Sequence, residues 1–156
     1  PQTTISGAQD MPIRHCEGDL LLSHQQTLVC PVNLVGVMGA GLALQMANRY
    51  PNLLKAYQHA CRTGLLRVDC PFPIRVNEHQ QVLCLATKDH FRNHSDLSWV
   101  AAGLSYTQSH MAPLGIQSLA IPMLGCGLGQ LEWGSVRRLL YYYLQHELTD
   151  IEVYGP

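Results

Sequence analysis

Residues 29–45 read VCPVNLVGVMGAGLALQ, in which an apolar run leads through a glycine-rich loop into a segment of helical spacing. The apolar run predicts a central strand that ends at Asn33, and the spacing after Gly39 predicts a helix. Glycines let backbone N–H groups approach an anion closely, and a helix start adds unpaired donors and a positive dipole end. The loop can therefore hold a phosphate without a lysine, although its glycines also fit a simple tight turn.

Two common nucleotide-binding patterns do not fit this loop. Gly39 and Gly41 begin a dinucleotide fingerprint, but Leu44 replaces its third glycine and no acidic residue follows at the required distance. The P-loop pattern fails because no Gly-Lys-Ser/Thr follows. A second glycine cluster, GCGLG at 125–129, again comes after an apolar strand. Two amide-rich loops at one sheet edge suit a diphosphate better than a monophosphate.

The composition predicts one globular domain without a broad nucleic-acid-binding surface. The chain has 156 residues, is 47% hydrophobic, and carries a net charge of −1 with 13% charged residues. Its six cysteines show no CxxC pair, so we expect reduced thiols in a cytoplasmic protein. No segment has the length of a membrane span or the pattern of a signal peptide. We assign residues 1–10 no role in the fold, as a disordered or non-native start, and residues 11–156 to the domain.

Short apolar runs alternate with segments of helical period, which is typical of an α/β domain with a central sheet. Ser95 is predicted to cap the third helix. The predicted strands lie in IRHC, TLVCPVN, FPIRV, QVLCLAT, SLAIPML and IEVYGP, with FPIRV and QVLCLAT forming a hairpin. The predicted helices span about 39–50, 51–62, 95–110 and 135–146.

Lys88 directly follows the apolar strand VLCLAT, whereas the other lysine, Lys55, lies in an amphipathic helical stretch. A lysine at the end of a strand beside a ligand loop can act as a nucleophile or as an electrostatic aid. A plain surface lysine in a turn is the alternative. His90 and His94 have helical spacing but lack the accompanying glutamate of a zinc motif, so we expect no metal site.

Three stretches taken together resemble the macrodomain family, which binds ADP-ribose. They are VNLVGVMGAGLALQM, ATKDHFRNHSDLSWVAAGL and IPMLGCGLGQLEW, with EGDLL near the start, and the likeness extends from about Ile13 to Tyr154. The similarity is to the DarG-type macrodomain, an antitoxin that removes ADP-ribose from thymidine in DNA, and to the related terminal ADP-ribose protein glycohydrolase. The resemblance implies a three-layer α/β/α fold with a central mixed sheet.

The resemblance also implies roles for matching residues. Asp19 would contact the adenine amine beside the Leu20 backbone, Asn33 would reach the distal ribose, and Lys88 would be the lysine needed for hydrolysis. Asn33 and Lys88 are thus the implied catalytic residues. The remaining implied substrate-binding residues are Val35, Gly36, Val37, Met38, Gly39, Gly41, Leu42, Thr87, Leu124, Gly125, Cys126, Gly127, Leu128, Gly129 and Tyr154.

Two departures from family patterns narrow the expected activity. Many macrodomains carry Asn-Ala-Ala-Asn after this strand, but here Asn33 stands alone. The protein-directed glycohydrolase has an aspartate in its second glycine loop, where this chain has Gly129. The DarG-like activity, release of ADP-ribose from thymidine in DNA without a cofactor, is therefore favoured. His90, Phe91 and Arg92 would then be candidates for contacting the modified nucleotide, or would simply shape a surface loop.

Two alternatives to the DarG-like reaction stay open: a module that binds ADP-ribose without removing it, and a hydrolase for glutamate-linked ADP-ribose on protein. The expected partners are ADP-ribose, ADP-ribosylated DNA or protein, and a DarT-type toxin. We expect no membrane association and a monomer.

Overall fold

The computed structural model describes residues 13–155, which form a six-stranded sheet with helices on both faces. The strands are β1 (Arg14–Cys16), β2 (Thr27–Val32), β3 (Phe72–Arg75), β4 (Gln81–Ala86), β5 (Ser118–Ile121) and β6 (Asp150–Tyr154). The helices are α1 (Gly41–Arg49), α2 (Leu53–Thr63), α3 (Leu97–Ser109) and α4 (Trp133–Leu144), with a short 3-10 turn at Leu20–Leu22. The expectation for residues 1–10 lies outside the described residues.

The strand order is β1-β6-β5-β2-β4-β3. Strands β3 and β4 pair antiparallel, as the predicted hairpin requires, and all other neighbours pair parallel. The prediction of a three-layer fold around a mixed sheet is therefore confirmed. Because β2, β4 and β5 run parallel, the loops that follow them meet at one edge of the sheet.

Strand β2 shows how the sequence builds the two cores. Alternate side chains of a strand point to opposite faces of the sheet. Leu28, Cys30 and Val32 pack with side chains of α1 and α2, whereas Val29 packs with those of α3 and α4. All four residues are buried, so β2 is a central strand, as its apolar sequence predicts.

The prediction that Ser95 caps the third helix is wrong, and several element bounds differ from expectation by one to three residues. The N-cap of α3 is Asp96, whose carboxylate accepts the Ser98 N–H at 2.8 Å. Helix α1 begins at Gly41 rather than Gly39 because Ala40 is still extended, and α4 begins two residues early, at Trp133. Strand β5 ends before Pro122, which has no N–H to continue a ladder.

No helix in the described part of the chain is both long enough and apolar enough to cross a membrane. All six cysteines are free thiols.

Candidate active site

A cleft of about 660 Å³ opens where the carboxyl ends of β2, β4 and β5 meet. Within the described residues, only Thr27 and Leu28 of β2 pair with β5. Further along, Pro31 of β2 and Pro122 after β5 line the cleft. Since proline cannot donate to a strand ladder, both prolines fit a place where two neighbouring strands stop pairing. The cleft lies where β2 and β5 have stopped pairing.

Asn33 holds the first loop of the cleft together. Its Oδ1 accepts N–H groups from Val35 at 3.0 Å and Val37 at 3.3 Å, and its Nδ2 donates to the Val37 carbonyl at 2.8 Å. The Tyr57 hydroxyl lies 2.7 Å from both Oδ1 and the backbone oxygen of Asn33. Within the described residues, one N–H of Nδ2 keeps no partner. Asn33 is therefore mainly a residue that shapes the loop, with a single donor left for a ligand.

The same loop ends in a helix start that has no side-chain cap. Gly36 adopts a left-handed conformation with φ 84°, and the Ala40 N-cap makes no side-chain hydrogen bond. The backbone N–H groups of Gly41, Leu42 and Ala43 have no acceptor among residues 13–155. All three residues line the cleft. The first loop thus presents free donors and a positive dipole end to a ligand.

The second loop, residues 125–129, supplies another set of free donors. The loop is closed by the Leu131 N–H, which donates to the Gly125 carbonyl at 2.8 Å, and Gly125 has a left-handed φ of 72°. The N–H groups of Gly127, Leu128 and Gly129 find no acceptor in the described structure. Both glycine-rich loops therefore offer backbone N–H groups to the same cleft, an arrangement that suits an anion with two phosphates.

Ser95 connects the second loop to the end of β4. Its hydroxyl lies 2.9 Å from Thr87 Oγ1, and its N–H donates to the Gly129 carbonyl at 2.9 Å. A Cβ added to Gly129 would lie 2.7 Å from Ser95 Cβ and 2.6 Å from the Gly125 carbonyl oxygen. Only glycine fits at position 129 without a shift of these neighbours. Ser95 thus holds the second loop against the end of β4. The sequence predicted it as a helix cap instead.

Lys88 lies half-buried in the cleft and is the charged residue of its lining. No carboxylate within residues 13–155 lies within salt-bridge distance of it. The neighbouring Asp89 is engaged in its own turn, where its carboxylate accepts from the His90 N–H at 2.7 Å and from Asn93 Nδ2 at 2.5 Å. The hydrogen bond from Asn93 lowers the pKa of Asp89 below its usual range. The Lys88 ammonium is therefore available to a ligand.

Backbone hydrogen bonds between neighbouring residues link the segments that carry the two catalytic candidates, Asn33 and Lys88. The Leu34 N–H, next to Asn33, donates to the carbonyl of Asp89, next to Lys88, at 3.0 Å. The Thr87 N–H donates to the Val32 carbonyl at 2.9 Å. The loop after β2 and the loop after β4 are thus fixed relative to each other at the point where Asn33 and Lys88 enter the cleft.

The mouth of the cleft is apolar. Val37 from the first loop, Leu128 from the second and Phe91 after β4 line it with exposed fractions of 37%, 73% and 43%. Cys126 also lines the cleft, and burial raises the pKa of its thiol.

Most of the predicted site residues lie around this one cleft, and some lie outside its lining. The lining includes Asn33, Val37, Gly39, Gly41, Leu42, Thr87, Lys88, Gly125, Cys126, Gly127, Leu128 and Gly129. Outside it are Asp19, Leu20, Val35, Gly36, Met38, Leu124 and Tyr154. The lining also includes Phe91, a predicted candidate for contact with the modified nucleotide. Lining residues that the sequence did not predict for the substrate site are Pro31, Val32, Ala40, Ala43, Ser95, Pro122 and Met123. Ser95 lies in the segment LATKDHFRNHS, which also contains Lys88, and this shared segment is the sequence signal that could have identified it.

The residues outside the lining have other contacts. Met38 and Leu124 are buried in the two cores, so their side chains support the loops rather than face the cleft. Asp19 accepts the Leu21 N–H at 2.9 Å as the cap of the 3-10 turn. The Tyr154 hydroxyl donates to the Glu152 carboxylate at 2.9 Å. The roles of these residues toward a ligand remain predictions.

The chain is similar to curated proteins and to solved structures. No family model matches the chain. A Mycobacterium tuberculosis protein named DNA ADP-ribosyl glycohydrolase is 36% identical over 92% of this chain and 42% of its own length. A Thermosipho africanus DNA ADP-ribosyl transferase-DNA ADP-ribosyl glycohydrolase fusion protein is 34% identical over 100% of this chain and 44% of its own length. The chain therefore spans less than half the length of these curated relatives.

Solved structures match over nearly the whole described fold. The macrodomain of Mycobacterium tuberculosis DarG superposes with a TM-score of 0.84 at 35% identity, covering 92% of this chain and 97% of that one. Thermosipho africanus DarTG in complex with ADP-ribose gives 0.85 at 33% identity, covering 92% and 42%. The three-layer fold is that of a macrodomain. Within that class, the chain belongs to the DarG macrodomain family, which confirms the resemblance seen in the sequence.

Proposed function

We propose that this macrodomain is an ADP-ribosyl hydrolase that releases ADP-ribose linked to thymidine in DNA. One observation carries the proposal: Lys88, which has no carboxylate partner within residues 13–155, enters a cleft whose two glycine-rich loops offer backbone N–H groups that find no acceptor in the same residues. An ADP-ribose-binding module would need the loops alone, whereas a bond-cleaving enzyme also needs a reactive group at the sugar. The names of the Mycobacterium tuberculosis and Thermosipho africanus relatives support DNA as the acceptor.

In this proposal the ligand lies across the sheet edge. The N–H groups of 41–43 and 127–129 bind the two phosphates, and the free N–H of Asn33 Nδ2 holds a hydroxyl of the distal ribose. Asp19 receives the adenine amine near the Leu20 backbone, with Tyr154 beside the ring. The fixed contact between the loops of Asn33 and Lys88 then places the lysine near the anomeric carbon of that ribose, as catalysis by positioning requires.

Cleavage can follow a covalent route through Lys88. The neutral Nζ attacks the anomeric carbon, the bond from that carbon to the base breaks, and the base leaves with the proton released from the amine. The sugar ring opens to an imine that links Nζ to the former anomeric carbon. Water then adds to that carbon, the carbon–nitrogen bond breaks, and ADP-ribose leaves as the free aldehyde with the amine restored. In the non-covalent route, the ammonium instead polarises the reacting group while water attacks.

We further propose a DNA ADP-ribosyl transferase of the DarT type as the counterpart of this domain and the cytoplasm as its compartment. The fused transferase and glycohydrolase of the Thermosipho africanus relative support the first proposal. The six free thiols support a reducing compartment. We propose that the domain acts as a monomer.

The deciding experiment compares release of ADP-ribose from thymidine-modified DNA and from glutamate-modified protein. We expect wild type to act on the DNA, Lys88→Ala to lose turnover while it still binds ADP-ribose, and Lys55→Ala on the exposed face of α2 to behave as wild type. A wild type that binds but releases nothing would identify a non-catalytic binding module. Preferential release from protein would replace DNA by glutamate-linked ADP-ribose as the substrate.

A further inference from the structure

Three side chains that follow Lys88 form a compact aromatic and cationic group at the mouth of the cleft. The rings of His90 and Phe91 stack with centroids 4.3 Å apart, and the Arg92 guanidinium lies 5.5 Å from the Phe91 ring centre. The Arg92 N–H donates to His90 Nδ1 at 3.1 Å, which fixes the imidazole. These three residues, 90–92, are called the aromatic turn below.

Hydrogen bonds hold the aromatic turn beside the cleft. Its start is fixed by the Asp89 carboxylate, which binds the His90 N–H and the Asn93 side chain. The Asp89 carbonyl accepts the Leu34 N–H and so ties the turn to the loop after β2. Phe91 nevertheless stays 43% exposed, and it lines the cleft together with Lys88. A large apolar ring that neighbouring side chains hold in place, and that is still partly exposed, is well suited to contact a ligand.

We infer that the aromatic turn is a stacking surface for an unpaired nucleobase, so that Phe91 selects base-linked ADP-ribose over ADP-ribose linked to a protein carboxylate. The inference rests on the proposed function because it assumes that the scissile bond lies beside Lys88. With the ADP-ribose half in the cleft, the group on the far side of that bond leaves toward the cleft mouth. A planar base meets the exposed Phe91 ring there, whereas a glutamate side chain has no flat surface to stack.

The single exposed cation of the aromatic turn, Arg92, fits contact with a short nucleic-acid strand rather than a long one. Arg92 is exposed and sits directly beside the stacking ring, where a phosphate of the same strand passes. The adjacent Asp89 carboxylate is engaged in its own turn and does not pair with Arg92. With a net charge of −1, the chain as a whole has little attraction for a long backbone. A base in a duplex is paired and stacked on its neighbours, so the surface requires a single-stranded or flipped-out nucleotide.

Binding to a Lys88→Ala parent tests this surface without turnover. The ligands are a short single-stranded oligonucleotide with one ADP-ribosylated thymidine, the same strand annealed to its complement, and free ADP-ribose. We expect Phe91→Ala to weaken binding of the modified single strand roughly 10-fold or more, and Phe91→Trp to retain it. Tyr142→Ala, which removes another exposed ring on α4, is the control and leaves binding unchanged. Arg92→Ala should weaken binding of the strand and flatten its salt dependence.

Two results would overturn the inference: Phe91→Ala binding the modified strand as tightly as the parent, or Phe91→Trp behaving like Phe91→Ala. Equal affinity for the single strand and the annealed duplex would also overturn the requirement for an unpaired base. Failure of the hydrolase proposal is seen separately, as absence of ADP-ribose release by wild type. The binding comparison remains valid in that case because it does not depend on turnover.

Discussion

Ser95 occupies the space that any side chain at Gly129 would need. A Cβ at position 129 would meet Ser95 and the Gly125 carbonyl oxygen, both of which are fixed by hydrogen bonds within the site. An aspartate here, as in the protein-directed glycohydrolase that the sequence resembles, cannot be accommodated without moving the second loop. The packing around Ser95 therefore excludes a carboxylate at position 129 while the second loop keeps its shape. This fits the proposal that Lys88, the charged residue of the cleft lining, is the reactive group.

We expect Gly129→Ala to destabilise the domain by about 1–3 kcal/mol through overpacking. Gly129 does not have a positive φ, so the loss comes from contact rather than from backbone strain. Gly127→Ala is the matched control in the same loop, because a Cβ there meets no atom within 4 Å. Thermal unfolding of both variants measures the difference. Equal melting temperatures would show that Ser95 and the loop can move aside freely.

If the proposed covalent route operates, treatment of the protein and its modified substrate with borohydride should leave ADP-ribose attached to Lys88. Borohydride reduces an imine to a stable amine, so trapping reports the covalent route directly. Peptide mass spectrometry locates the adduct, and Lys55 serves as an internal control because it is exposed on α2, away from the cleft lining. Turnover without any adduct at Lys88 would favour the non-covalent route. An equal yield at Lys55 would indicate non-specific glycation.

Tyr57→Phe should weaken ADP-ribose binding although Tyr57 does not line the cleft. Its hydroxyl is the buried donor to Asn33, and its loss leaves the loop that carries Asn33 less constrained, at a cost of about 1–2 kcal/mol. Hydrogen exchange at the Val35 and Val37 amides, which Asn33 Oδ1 accepts, should become faster.

Tyr50→Phe is the control for this prediction, because Tyr50 is buried in the same core but its hydroxyl makes no hydrogen bond within the described residues. Isothermal titration with ADP-ribose compares the two variants. If both bind equally well, the hydrogen bond between Tyr57 and Asn33 does not shape the site.

The period of apolar residues and the glycine clusters predict the layers, the hairpin and the edge of the sheet where the cleft opens, since these depend on local pattern. They do not reveal which polar group pairs with which. Ser95 and Asp96 are equally good caps by type, and only the contact of Ser95 with Thr87 and Gly129 decides between them. Such contacts form after the elements pack.

Asn33 illustrates the same limit. Its position after a central strand and before a glycine loop marks it as a site residue. The sequence does not show that its side chain is held by Tyr57, 24 residues further along the chain, and by the backbone of its own loop. The structure therefore shows that most hydrogen bonds of the Asn33 side chain hold its own loop, and within residues 13–155 only one N–H of its Nδ2 is left without a partner.

Cys126 offers a chemical probe of ligand binding in the cleft. Alkylation requires the thiolate, and burial raises the pKa of Cys126, so its reaction at neutral pH should be slow and its rate should rise to a midpoint above that of an ordinary thiol. ADP-ribose in the cleft should slow the reaction further by covering the sulfur. Mass spectrometry of iodoacetamide-treated protein, with and without ADP-ribose, measures both effects.

Two other cysteines provide the controls for this experiment. Cys30 is fully buried, which raises its pKa to about 12, so it should stay unmodified while the protein is folded. Cys70 is partly exposed outside the cleft lining and should react at a rate that ADP-ribose does not change. Protection of Cys70 together with Cys126 would point to a global stabilisation by the ligand, and absence of protection at Cys126 would place ADP-ribose away from the second glycine loop.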